Sequence, residues 1–187
     1  MNTLFPAIRD LTNVRRRRLS YDIGAAADML SPLVKAHLRL ATDAEDQLVK
    51  TYTAAAIGII EEAAGIAIAN QVHEWTISCS EPGTLQVFPG PIVTATVDGQ
   101  DADVIHTGAA HNPYGLIAVG VLDAAPVNFT AGATVVDDID PVILQAVLVT
   151  AAHLYENREF AAPGAFGRIP MAAEMLLAPY RNVVLGV

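Results

Sequence analysis

From Val142 to Ala152 the chain places only two polar side chains, Gln145 and Thr150, in an otherwise aliphatic run. The flanks of the run mark it as a helix over residues 141–159. Asp140 is a good N-cap and Pro141 suits the first turn. Asp137 and Asp138 stand just ahead of the start, where negative charge is favoured, and Ile139 and Leu144 have hydrophobic-staple spacing. A helix that is apolar on all sides is buried on all sides. Each large aliphatic side chain taken fully out of water contributes roughly 1.5–3 kcal/mol. A chain of 187 residues has little other surface with which to enclose such a helix. Its composition, 52 % hydrophobic and 17 % charged, fits a subunit that buries surface on folding and again on assembly. The helix ends in the polar group Glu156-Asn157-Arg158-Glu159.

The rest of the chain arranges itself around that helix. Residues 1–30 read as an N-terminal arm, basic and then small and apolar, with at best a short helix. Ser31 and Pro32 are placed to open a short helix over 31–40. Residues 43–64 form a second long helix, with Thr42 and Glu45 at capping-box spacing. Its expected apolar stripe is Leu48, Tyr52, Ala55, Ala56, Ile59, Ile60 and Ala63. Gly65 stops it, because glycine takes the left-handed conformation freely. Glu61 and Glu62 point about 100° apart on a helix and so do not converge, which assigns both to an exposed polar face. Between 71 and 136 alanine gives way to valine, threonine, isoleucine, proline and glycine. His73, Trp75 and Ile77 alternate with Glu74 and Thr76, as in a half-buried strand. Ile92–Val97 runs into Asp98-Gly99, a tight-turn signal. Leu116–Leu122 and Val127–Thr130 supply further strands, with loops at Glu81-Pro82-Gly83, Ala109–Pro113 and Ala131-Gly132. A loop over 160–170, a short helix over 171–178 and an apolar tail over 182–187 complete the chain. The expected class is α+β: a small helical bundle built from residues 31–70 and 137–181, with an antiparallel β subdomain inserted at 71–136 and a C-terminal docking segment.

Charge and motifs narrow the function. Eleven basic residues face twenty acidic ones, a net charge of −9, which argues against nucleic-acid binding by the chain as a whole. The run Arg15-Arg16-Arg17-Arg18 is the local exception, suited to phosphates or an acidic partner, or else to a solvated segment. No run of about eighteen apolar residues spans a bilayer, and the start lacks the pattern of a secretory signal. The lone Cys79 has no partner for an internal disulfide, which fits a reducing compartment. The five histidines, His37, His73, His106, His111 and His153, have no metal-binding helix spacing. No nucleophile elbow, Walker loop or dinucleotide fingerprint is present. Nothing assembles a nucleophile, a base and an oxyanion site, so the expectation is a non-enzyme without cofactor or metal.

Several stretches resemble those of one known family. Leu33-Val34-Lys35-Ala36-His37-Leu38-Arg39-Leu40, followed by Asp43 and Glu45-Asp46, is similar to the family's opening. Ala54–Gly65 resembles its middle. Trp75, Val87-Phe88-Pro89, Pro91-Ile92-Val93 and Val127-Asn128-Phe129-Thr130-Ala131-Gly132 are similar to its strands. Leu154-Tyr155-Glu156-Asn157-Arg158-Glu159 and Leu176-Leu177-Ala178-Pro179-Tyr180-Arg181 are the most specific matches. Together these stretches resemble the gp6-like head-tail connectors (adaptors) of tailed bacteriophages and related gene transfer agents. The likeness spans about residues 31–181; the arginine run lies outside it.

That resemblance implies a structural ring subunit beneath the portal at the capsid vertex. The ring would extend the DNA channel and join the head to the neck or tail. It implies a virion protein, assembled in the bacterial host cytoplasm, with head-to-tail contacts matching the portal's twelve-fold symmetry. The partners would be the portal protein, further copies of itself, a stopper or tail terminator as the next neck or tail protein, and passing double-stranded DNA without sequence specificity; no membrane is involved. Leu176, Leu177, Pro179, Tyr180 and Arg181 become portal-docking candidates, since tyrosine and arginine are favoured anchors. The alternative is that Leu176, Leu177 and Tyr180 cap the subunit's own core. Tyr155, Glu156, Arg158, Glu159 and Arg39 become inter-subunit candidates. Arg15, Arg16, Arg17 and Arg18 remain candidate phosphate or partner contacts. Other readings are a different neck or tail-completion ring protein, a metal-dependent hydrolase using His106, His111, Asp101 and Asp103, and a DNA-binding module acting through the arginine run.

Overall fold

The computed structural model describes residues 12–105, 115–157 and 169–180. The chain is α+β and divides into two compact units. The β unit comes from the described parts of Met1–Tyr21 and Asn70–Gly132, and the helical unit from those of Asp22–Ala69 and Ala133–Val187.

Strand pairing decides the β unit. β1 (Thr12–Tyr21) carries the four arginines and runs antiparallel to β2 (Gln71–Cys79). β2 in turn pairs with β8 (Leu122–Ala131), the central strand, whose other side takes β4 (Ile92–Val97). The short β5 (Gln100–Asp101) completes the order β1-β2-β8-β4-β5. A second sheet has the order β3-β7-β6, from β3 (Gly83–Val87), β7 (Gly115–Val119) and β6 (Val104–Ile105). Alternation fills the core, as a pleat requires. Trp75 lies opposite Val127 and Ile77 opposite Ala125, and all four are buried. Leu85 lies opposite Ile117 in the smaller sheet, and both are buried. The Asp98-Gly99 link between β4 and β5 has φ of 49° and 75°, the pair of positive values that a two-residue type I′ hairpin needs.

Residues 12–30 are therefore not an arm. Ten of them form an edge strand, and α1 (Ile23–His37) follows at once, capped by Asp22, whose Oδ1 accepts from the Ala25 amide at 3.0 Å. The arginine run concealed the strand because an edge strand bathed in solvent needs no apolar alternation. Ser31 is not a cap either: it lies inside α1 and donates to the Ala27 carbonyl. Leu116–Leu122 is not one strand, since Gly120-Val121 separates β7 from β8 and the two belong to different sheets. β3 begins at Gly83, where a loop was expected.

In the helical unit, α2 (Asp46–Ala64) packs against both α1 and α3 (Pro141–Glu156). Its buried stripe is Val49, Thr53, Ala56, Ile57, Ile60 and Ala64. That is rotated by about one residue from the expected one, leaving Leu48, Tyr52, Ile59 and Ala63 half-buried. The Thr42/Glu45 capping box is not formed; the Glu45 carboxylate instead accepts from the Tyr155 hydroxyl of α3. Gly65 ends α2 at φ 68°. Asp140 caps α3 through the Val142 amide at 2.8 Å. α4 (Met171–Leu177) packs on α3 and passes into a 3-10 turn at Ala178–Tyr180.

Glu61 does not belong to an exposed polar face. Its Oε1 accepts from the amides of Ile68 at 2.6 Å and Ala69 at 2.8 Å. One carboxylate so ties the end of α2 to the buried segment Ile66–Ala69, which also meets the returning chain through Ala133 N–H donating to the Ile68 carbonyl at 2.9 Å. Charge-assisted bonds of this kind contribute about 1.5–3 kcal/mol.

We expect Glu61→Ala to lower unfolding free energy by about 2 kcal/mol in urea titrations, with Glu62→Ala close to neutral. Gly115 gives a second check. A Cβ built there lies 2.1 Å from Ile92 Cγ1. Overpacking of that kind costs about 1–3 kcal/mol, so Gly115→Ala is expected to lower the thermal midpoint measurably while Gly120→Ala, with open space around it, does not.

Candidate interaction surfaces

Within this chain helix α3 is fully covered on one face. Ile143, Ala146, Val147, Thr150 and Ala151 are buried. Val142, Leu144, Leu148, Val149, Ala152 and Leu154 are only half-buried. The helix has more apolar circumference than this chain's described residues cover. The half-buried flank of α2 adds Leu48, Tyr52 and Ile59.

The C-terminal segment divides into an inward and an outward side. Ala173, Leu177 and Tyr180 are buried, Tyr180 to 3 % exposure, and serve the helical unit's own core. Leu176 is half-buried and Pro179 is exposed. Met171 and Met175, four apart and thus on one face, stand at 77 % and 73 % exposure. Sequence reasoning missed these methionines; the signal was their spacing in a helix otherwise made of alanine and leucine. Burial, followed by the nearby Asp140 carboxylate, holds the Tyr180 phenol well above its usual value. Asp140 itself caps α3 through the Val142 amide. Arg181 lies outside the described residues.

Of the inter-subunit candidates, Tyr155 is half-buried, bonded to Glu45 and in edge contact with Tyr52 at 6.2 Å between ring centroids. Glu156 and Arg39 are exposed, Arg39 at a positive φ of 57°. Arg158 and Glu159 lie outside the described residues.

The arginines of β1 are all exposed but not equivalent. Residues directly opposite in a sheet share a face, so Arg16 goes with Trp75 and Arg18 with His73, while Arg15 and Arg17 take the other face with Thr76 and Glu74. The Arg16 guanidinium lies 4.5 Å from the Trp75 ring centroid and 4.6 Å from that of Phe88. Arg18 lies 4.3 Å from the centroid of Tyr21. His73 stacks on Phe129 at 5.1 Å and meets the Gln71 side chain at 3.0 Å. Burial, and then the positive charge of Arg18, push its pKa down.

Among the described residues no group of three His, Cys, Asp or Glu is placed to hold a metal. His106 and His111 of the hydrolase reading lie outside them, and Asp101 and Asp103 are exposed. A groove of about 430 Å³ between α1 and α2 is lined by Asp28, Lys35, Asp46 and Lys50, among others. Its cations are already paired: Lys35 bridges Asp43 and Asp46, and Lys50 meets Asp28. Hydrogen bonding to those carboxylates raises the Lys35 pKa, and bonding to Lys35 lowers that of Asp43. No described helix is long and apolar enough to cross a membrane.

No family model matches the chain, and no curated protein does. Solved structures do. The chain matches one from the neck of an empty gene transfer agent particle determined with C6 symmetry, with a TM-score of 0.66 and 22 % identity over 92 % of this chain and 98 % of that one. This chain shares its fold with that neck chain. A chain from the neck of a native particle with C12 symmetry gives a TM-score of 0.63 at 19 % identity, and one from the native virion gives 0.61 at 21 %, each with the same coverage. The likeness takes in both units, so the β and helical parts occur together in these neighbours as they do here.

His73 gives this surface a pH signature. Its folded-state pKa lies below the unfolded value of about 6.5, so below that pH the unfolded chain binds more protons. The contribution is present at neutral pH and is lost as pH falls through the unfolded value towards the folded one. Thermal melts from pH 7.5 to 5 should show a fall in stability that is reduced in His73→Gln.

Proposed function

We propose that this chain is a structural neck subunit, an adaptor that forms a ring beneath the portal and continues the DNA channel towards the tail. The carrying observation is the end-to-end likeness to chains from gene transfer agent necks, which spans 98 % of those chains. Two features of the molecule support the ring. The half-covered flanks of α2 and α3 have the composition that a second copy would bury. Arg39, Tyr155 and Glu156 lie in the helical unit that presents those flanks. A C12 neck among the similar structures agrees with a ring of about twelve copies. Such a ring would carry a net charge on the order of −100, and acids lining its lumen would repel DNA phosphates and let the duplex slide.

The docking segment is α4 together with the C-terminal turn. Leu177 and Tyr180 fix the segment from within, and the outward Met171, Met175 and Pro179, with Arg181 beyond, meet the portal. Methionine suits that role because its unbranched thioether adapts to an irregular pocket. The β unit faces the next neck or tail component, a stopper or tail terminator.

The test is attachment to portal-bearing heads. Met171→Asp with Met175→Asp changes only exposed side chains, so stability is expected to hold within about 0.5 kcal/mol. Electron microscopy should show wild-type chain as a ring on the cognate portal and the double variant absent from it. Normal rings from the double variant would move the docking role elsewhere. Wild-type chain that never engages a portal would remove the adaptor reading.

A further inference from the structure

The β unit carries its described basic residues at one sheet edge and three of its six described acidic ones at the other; the remaining acids are Glu74, opposite Arg17 on β2, with Glu81 and Asp123. Its described lysines and arginines are Arg15, Arg16, Arg17 and Arg18, all on β1. β1 ends the five-stranded sheet, and its outer side pairs with no other described strand. The opposite end is β5, reached through the Asp98-Gly99 turn. Asp98, Asp101 and Asp103 are all exposed there. Four inter-strand steps separate the two edges, roughly 19 Å. Within one copy the two groups cannot meet across that span, and none of the seven side chains makes a salt bridge among the described residues.

We propose that these edges are complementary halves of a contact between copies: β1 of one subunit docks head to tail on the β4–β5 edge of the next. This deepens the ring reading and rests on it. Three arguments favour a second copy as the occupant. The charges are opposite in sign and similar in number, and they sit at opposite ends of one rigid sheet, which is the geometry of a heterologous interface that closes by rotation. Arg16 and Arg18 are already held by ring stacking, so less side-chain freedom is lost on pairing than for free surface arginines. Charges on an edge strand often serve only to prevent stray pairing. Here the opposite edge carries the matching sign, which makes the contact selective for this chain. DNA is the weaker fit, because its phosphates would approach a molecule of net charge −9.

The test uses full-length chain assembled on its cognate portal, with charge reversals on side chains outside the aromatic stack. Arg15→Glu with Arg17→Glu should cut ring formation at least tenfold at low salt, as should Asp98→Lys with Asp101→Lys. Mixing the two variants, or joining all four changes in one chain, should restore rings. In a Cys79→Ser background, Arg17→Cys with Asp101→Cys should give a ladder of disulfide-linked oligomers. Rings that form normally with either reversal and give no ladder would overturn this contact while leaving the adaptor reading in place. Loss of DNA retention with rings intact would assign β1 to the duplex and also overturn it. Absence of wild-type rings would remove both readings together.

Discussion

Covering α3 is the constraint around which the helical unit is organised. The helix has aliphatic side chains around nearly its whole circumference, and water tolerates none of them cheaply. One face is satisfied inside the unit, where Ile143, Ala146, Val147 and Ala151 pack against α2 and α4. The remaining side chains are only half-covered. Removing such side chains from water is worth about 25 cal/mol per Å² of apolar surface. An assembly that buries the rest therefore gains what the isolated subunit leaves unrealised. α2 obeys the same logic: its deep stripe turns inward, and its tyrosine and isoleucine flank remains half-exposed.

Polar groups then set the positions that apolar packing leaves loose. Asp140 caps α3 and its charge lies close enough to Tyr180 to act on the phenol, so the C-terminal turn comes back to a helix start. Glu61 holds two backbone amides of the buried exit from α2. Glu45 gives up a capping role to meet Tyr155. Each of these groups joins segments distant in sequence or turns a chain end back on itself. In the β unit the comparable element is the aromatic cluster of Trp75, Phe88 and Phe129, over which Arg16 lies. A guanidinium is weakly hydrated and planar, which lets it cover an aromatic edge while keeping its charge near solvent.

Much of the element pattern was legible in the chain. The Asp140-Pro141 start of α3, the Gly65 stop of α2, the Ile92–Val97 strand and its Asp98-Gly99 turn are local signals, set by dihedral preference and nearest hydrogen bonds. They hold in the structure because little elsewhere competes with them. The misses share one cause. β1 exists only because β2, some fifty residues later, offers it a ladder, and no periodicity of its own announces it. α2 faces one residue away from its expected stripe because α1 and α3, packed on either side, select the face. Glu61 looked like solvent decoration because its amide partners lie in a segment whose path the sequence does not reveal.

For the candidate surfaces the division is similar. By itself the sequence determined the apolar excess of α3, the arginine run, the acidic balance and the tail that resembles a docking segment, because composition and local order are properties of the chain alone. Only the tertiary structure decided which of those side chains remain available. It turned Leu177 and Tyr180 inward and left Met171 and Met175 outside, and it set the arginines and the aspartates on opposite edges of one sheet. Availability depends on which neighbours arrive from far along the chain, and burial is a property of that meeting rather than of any residue.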